Sequence, residues 1–215
     1  MKEITKTSRL AGQLEKLYNL LNTDFFNGEL EPPVITIQST PRAYGHYTLV
    51  DMWDVKGEGR REINVGAGTL DRPIENVVAT LLHEMCHQYN DTILNVQDCS
   101  RGGTYHNKCF RDCAEAHGLI VTRSDKYGWS HTEPSDSLIE WILNNNIQEI
   151  KLNRNEFGGI RIAGGKSAAN GGASIAGTSK SNSRRYGPDV KFCVSVFRQS
   201  QEWRWKTGRI LAWIP

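Results

Sequence analysis

Apolar residues recur at helical spacing over residues 7 to 27, where Leu10, Leu14, Leu17, Tyr18, Leu21 and Phe25 share one face. The stretch is predicted to be an amphipathic helix with that face in the core. Pro32-Pro33 ends any helix, and Val34-Ile35-Thr36-Ile37-Gln38 then alternates with the period of a strand. Further strands are expected over residues 45–51 and 62–65, with Lys56-Gly57-Glu58-Gly59 as a turn between them. The helical period returns at Ile74, Val77, Val78, Leu81, Leu82 and Met85, with Asp71 as the expected N-cap and Pro73 in the first turn. A shorter helical pattern, Phe110, Cys113, Ala114 and His117, is closed by Gly118 as a C′ residue. Residues 120–121 suit a short strand, and residues 136–144 a last helix turning Leu138, Ile139 and Ile142 inward. Strands followed by helices predict an α+β fold, a small antiparallel sheet packed with helices.

The second helix carries more than a core. Within its apolar run stands His83-Glu84-Met85-Cys86-His87, an HExxH set. Residues i and i+4 lie one above the other on a helix, so both imidazoles can reach one zinc ion while Glu84 sits beside it. Zinc in a catalytic site takes neutral nitrogen ligands, keeps an open position for water and needs a nearby carboxylate to accept that water's proton. Two histidines and a glutamate buried without such a purpose would cost several kcal/mol, on the order of the transfer penalty for unpaired polar and ionised groups.

A third protein ligand is expected among His46, His106, His117, His131 and any acidic residue downstream. His106 fits best, because it lies in the glycine-rich turn Gly102-Gly103-Thr104-Tyr105-His106 that opens the third helix and can fold back over the second. His117 stands in a last helical turn, where the macrodipole alone favours it. His131 sits between Ser130 and Thr132 in a polar segment expected to be exposed. His46, in Tyr44-Gly45-His46-Tyr47, is a strand-edge residue and a candidate wall of a substrate cleft.

The run Leu81-Leu82-His83-Glu84-Met85-Cys86-His87, followed by Ser100-Arg101-Gly102-Gly103-Thr104-Tyr105-His106-Asn107-Lys108 and Phe110, resembles the SprT-like family of zinc metallopeptidase domains. These are relatives of the Spartan proteases that act on DNA-protein crosslinks. Leu17-Tyr18-Asn19-Leu20-Leu21-Asn22, Phe25-Phe26-Asn27-Gly28-Glu29-Leu30 and Ala43-Tyr44-Gly45-His46 look like the family's leading helix and first strands, so the resemblance covers roughly residues 10 to 143. It implies a zincin-like fold with HExxH on a central buried helix, one zinc ion on His83, His87 and His106, and Glu84 as general base. Its expected partner is a protein substrate. Tyr105, beside the third ligand, is a candidate oxyanion donor or aromatic wall of the cleft.

Composition adds a boundary and a tail. The 215 residues, 38% of them hydrophobic, suffice for one domain with extras. Residues 1–158 are expected to form the metallopeptidase domain, 159–183 a Gly/Ser-rich linker, and 184–215 a basic aromatic tail, either disordered or a degenerate zinc ribbon. The tail carries seven Lys/Arg against Asp189 and Glu202, a net of +5, which leaves −3 on the preceding residues to reach the chain's +2. With Tyr186, Phe192, Phe197, Trp203, Trp205 and Trp213 among those cations, single-stranded DNA is a candidate partner. A ribbon with two CxxC pairs, as many SprT-like proteins have, cannot be closed by Cys193 alone. The other cysteines, Cys86, Cys99, Cys109 and Cys113, show no disulfide framework. Cys109 and Cys113, spaced i, i+4, could join Cys86 or Cys99 in a second metal site, though packing is their commoner use. A cytoplasmic protein is expected, since the first residues lack an apolar signal core and no apolar run approaches a bilayer's thickness. The rival to a peptidase is a nucleic-acid-associated binding protein that holds zinc only for folding.

Overall fold

A computed structural model describes residues 4–40 and 43–155, together with the backbone of a strand at residues 192–196. The expected linker, and the tail apart from those five residues, lie outside the described residues.

The chain opens with α1 (Thr7–Phe26), whose Leu10, Leu14, Leu17, Tyr18 and Leu21 are buried as the helical period predicts. At its end the inward residue is Phe26, while Phe25 is only partly buried and meets Trp141 edge to face at 5.5 Å. The helix stops where Asn27 and Gly28 turn left-handed, at φ 54° and 74°. The chain is then held in place by Asn22. Its side-chain amide donates to the Leu30 carbonyl at 2.9 Å and its carbonyl accepts from the Leu30 amide at 3.1 Å, both buried.

There follow β1 (Val34–Gln38), β2 (Ala43–Thr48), the hairpin β3 (Trp53–Val55) and β4 (Glu58–Arg60), and β5 (Glu62–Gly66). The predicted turn narrows to Lys56-Gly57, both at positive φ, and Gly57 N–H donates to Asp54 Oδ1. The sheet is mixed where an antiparallel one was expected: β5 inserts between β1 and β2, antiparallel to β2 but parallel to β1. Alternation identifies a strand but is silent about its neighbour, so the crossover was invisible in the pattern.

A short 3-10 turn (Ala67–Thr69) leads into α2 (Ile74–Thr92). Pro73 is its N-cap, so the helix begins two residues later than Asp71 would have set it. The interior of α2 is buried on all sides, from Val77 through Gln88 without a break. It packs against α1, β2 and β5 on one side and α3 (Lys108–Ala116), β8 (Leu119–Ser124) and β9 (Gly128–Pro134) on the other. A second four-stranded sheet has the order β6 (Cys99–Ser100), β7 (Tyr105–His106), β9, β8. Last comes α4 (Asp136–Asn144), capped by Ser135 Oγ, which accepts from Leu138 N–H. Leu138 and Ile142 are buried as expected, whereas Ile139 is at the surface. Outside this body of four helices and small sheets, β10 (Phe192–Val196) pairs antiparallel with the outer edge of β2. No helix among the described residues is long and apolar enough to cross a membrane.

Replacing Asn22 by Ala removes both partners of Leu30 and leaves a buried N–H and C=O unpaired, each worth about 1–3 kcal/mol. Urea denaturation of Asn22→Ala is expected to show a loss of about 2 kcal/mol or more, with Asn22→Asp intermediate because it restores only the acceptor.

Candidate metal centre

Burial along α2 is what brings HExxH inside. His83 and His87 stack one turn apart on the face turned toward α3 and the second sheet, and His106 arrives on β7. The Nε2 atoms of His83 and His87 are 3.2 Å apart, those of His83 and His106 3.2 Å, and those of His87 and His106 3.1 Å. Three nitrogens bound tetrahedrally to one zinc at 2.0–2.1 Å would stand about 3.3 Å apart. All three rings are buried, and Phe110 of α3 packs against each, with centroids at 4.4, 4.5 and 4.6 Å.

The tautomers follow from the partners of the other ring nitrogens. His87 Nδ1 lies 2.7 Å from Asp98 Oδ2, and a carboxylate accepts, so Nδ1 carries the proton and Nε2 presents a lone pair. Asn90 Nδ2 donates to the same oxygen at 2.9 Å, fixing the carboxylate. His83 Nδ1 meets Thr132 Oγ1 of β9 at 3.0 Å, which can accept in the same way. His106 Nδ1 is buried beside the Thr104 backbone without a well-formed hydrogen bond. Burial first, and then its two neighbours, pushes the His83 pKa well below the usual imidazole value. His106 is pushed down to about 3 by burial and by His87, against the opposing pull of Asp98. Burial alone would raise the Asp98 carboxyl, but the His87 and Asn90 contacts outweigh it and leave the value lowered. Three neutral rings aiming lone pairs at one point form a donor set suited to a borderline cation such as zinc. The set is therefore compatible with a metal.

Two glycines make room for this arrangement. Gly128, at φ +66°, pairs with His106 across β7 and β9, and a Cβ there would stand 2.1 Å from the His106 carbonyl oxygen. Gly45 of β2 faces α2, where a Cβ would lie 3.0 Å from Glu84 Oε1 and 2.8 Å from the Asn64 carbonyl oxygen. The fully buried Glu84 carboxylate thus occupies space that any other residue at Gly45 would invade.

The other sequence candidates lie elsewhere. Alternation along β2 puts His46 on the sheet face opposite Gly45, where its Nε2 is 3.4 Å from Glu62 Oε1. Tyr105 alternates with His106 and points away from the three rings, beneath the Arg101 guanidinium and into a surface pocket of about 280 Å³ shared with Lys108, Arg123 and Trp129. His131 pairs with Glu133 at 3.1 Å. His117 caps α3, stacks on Phe26 at 4.2 Å and donates from Nδ1 to the Cys113 carbonyl at 2.7 Å. Cys113 does not pair with Cys109, which is exposed; it joins Cys86 and His117 in a second compact group. In that group the ring nitrogen facing the thiols is already protonated and engaged, which makes it a poor ligand.

Sequence reading missed Asp98, Thr132, Asn90 and Gly128. Asp98 alone left a trace, as an acidic residue in the short segment between two ligand-bearing stretches, the usual origin of a carboxylate behind a metal-bound histidine. Asn107 was read only as part of a motif. Its side chain caps α3 by accepting from the amides of Cys109 and Phe110, and its Nδ2 donates to the Gln97 carbonyl at 2.7 Å, tying the Asp98 loop to the ligand segment.

Two outcomes follow. Asp98→Ala frees the His87 ring and its tautomer, so zinc affinity measured by chelator competition is expected to fall about 10–100-fold while the fold persists. In metal-free protein, a histidine whose folded pKa is depressed contributes stability that is fully present above its unfolded value near 6.5. That contribution is lost as pH falls toward about 3 for His106. Urea denaturation in the presence of chelator should therefore show stability dropping steadily between pH 6.5 and 4.5; a flat profile would mean that the rings are not held neutral.

No curated protein and no solved structure matches the chain. The family model described as the SprT-like family matches residues 14–125, from within α1 to the end of β8. That stretch is more than half of the chain and contains HExxH, Asp98, His106 and α3, so the protein belongs to the SprT-like family, a family of metallopeptidase-like domains.

Proposed function

We propose that this protein is a zinc-dependent endopeptidase in which His83, His87 and His106 hold one ion and Glu84 is the general base. The observation that carries this reading is Glu84 itself. A site built only to hold the fold together needs three or four ligands and no further carboxylate, and burying one costs several kcal/mol. Here a carboxylate is fully buried, directly after the first ligand, in space kept open by Gly45. Zinc, when bound, supplies Lewis acidity that polarises a scissile carbonyl and acidifies an attacking water. Glu84 accepts the proton from that water and returns it to the leaving amine, which a carboxylate in a dry site does well because no bulk water competes for it. Asp98 and Thr132 keep the two helix-borne rings in the ligating tautomer, and Phe110 closes the floor against solvent.

The pocket of about 470 Å³ lined by Leu49, Asp91, Val96, Asp98 and Arg101 takes in neither Glu84 nor any of the three rings, so support for a peptide substrate comes from the donor set and Glu84 and not from that space. Family membership, with the net +5 of residues 184–215, is the ground for including DNA-attached proteins among the substrates.

The test is Glu84→Gln. Zinc content and thermal stability should match the wild type, while cleavage of an unstructured protein substrate falls at least about 100-fold. Equal zinc in both proteins with no cleavage by either would favour the zinc-stabilised binding protein.

A further inference from the structure

The strand β2 has two edges. One is held by β5, with Gly45 opposite Val65, His46 opposite Asn64 and Tyr47 opposite Ile63. The other is taken by β10, with Phe192 opposite Thr48, Cys193 opposite Tyr47, Val194 opposite His46 and Val196 opposite Ala43. The register slips between Val194 and Val196, so the bulge falls alongside Tyr44-Gly45, where β2 approaches Glu84. The Cα trace of β10 also comes within 8 Å of residues in α2, which bears HExxH, and in β9, whose Thr132 holds His83. A segment far along the chain thus runs between the two sheets, with the ligand helix beneath it.

We infer that the outer edge of β2 is a docking edge for an extended polypeptide, and that residues Phe192–Val196 are its resident occupant, competing within the same chain with substrate for the cleft. The claim about competition rests on the peptidase reading above; the claim about docking does not.

Three observations carry it. Unpaired strand edges are normally protected by lysine, proline or an inward charge, and Ala43-Tyr44-Gly45-His46-Tyr47-Thr48 has none of these. Such an edge is built to be paired, and main-chain pairing accepts many sequences. The occupant suits the edge: Phe192-Cys193-Val194-Ser195-Val196 is uncharged and rich in strand-forming residues, within a tail of net charge +5. Finally, the bulge sets two residues of β2, Tyr44-Gly45, against the single Ser195 of β10, so the docking edge itself is re-aimed where it approaches Glu84. Residues 156–191 give ample reach at about 3.3 Å per residue, and a tethered segment acts at an effective concentration on the order of millimolar.

The test uses the full-length zinc-loaded protein and the double variant Val194→Pro/Ser195→Pro. In an antiparallel ladder one of two adjacent N–H groups points at the partner, so two successive prolines remove it in either phase. Hydrogen–deuterium exchange of the β2 amides reads docking without any reference to activity. The expected result is that those amides of residues 43–48 that point to β10, and not those held by β5, exchange at least 10-fold faster in the variant, that KM for an unstructured peptide falls about 10-fold with kcat unchanged, and that a synthetic peptide of residues 190–198 inhibits the variant competitively. Unchanged exchange at β2 would overturn the docking itself. Faster exchange with an unchanged KM would overturn the competition. Faster exchange with no hydrolysis by either protein would leave the docked strand standing and remove the peptidase reading on which the competition rests.

Discussion

Three uncharged imidazole nitrogens held 3.1–3.2 Å apart in a dry interior are mutually repulsive unless something positive lies between them. The rest of the fold is arranged around keeping them there. A proton could relieve the repulsion, but burial forbids it, which is why His83 and His106 are pushed toward the neutral form. Asp98 balances the cluster from behind at His87, and its negative charge is tolerated in the interior because a ring N–H and the Asn90 amide both donate to it. The charge of a bound cation would thus be shared with a carboxylate one bond network away, a common way of strengthening a neutral ligand set.

Two sheets and one helix divide the labour. α2 supplies the two rings from one buried face, because a helix repeats its direction about every four residues, and the carboxylate from the flank turned to the first sheet. The second sheet supplies what a helix cannot, the third ring on β7 and the Thr132 support on β9 from widely separated sequence, and it does so through strands as short as two residues. Short strands carry little pairing energy, so their positions depend on side-chain clamps such as Asn107 with Gln97 and on the close backbone approach at Gly128. The first sheet closes the other flank of α2, and Gly45 sets how near it can come to Glu84.

Much of this was legible in the sequence, for identifiable reasons. The helices were visible because their apolar spacing is local, and the HExxH geometry was visible because i, i+4 on a helix fixes two directions at once. His106 was legible because a glycine-rich turn before a helix is a local signal. Thr132 was not, since its role depends on which strand lies beside which ring, and Asp98 left only its place in the short segment between the two histidine-bearing stretches. The parallel pairing of β1 with β5 was hidden for the same reason. Tyr105 was chosen because it adjoins His106, and His46 because it stands at a strand edge; in a strand, adjacency in sequence means opposition in space, so each side chain leaves the face that its neighbour presents to the cluster. The tail was read from charge and aromatic content, which speak of surfaces, whereas the strand at residues 192–196 depends on the unprotected edge of β2.

His106, the helix cap Asn107 and the ring wall Phe110 lie within five consecutive residues, at the head of a nine-residue helix. A helix that short does not hold its shape in isolation, and its first turn is the part most costly to form. Here the first turn is closed by a cap whose neighbour in sequence is one of the three clustered histidines, and its first inward ring rests on all three of them. An ion held by the cluster would couple coordination to helix initiation. Without one, this segment is where local opening would start, so amide exchange in this first turn would report occupancy of the cluster.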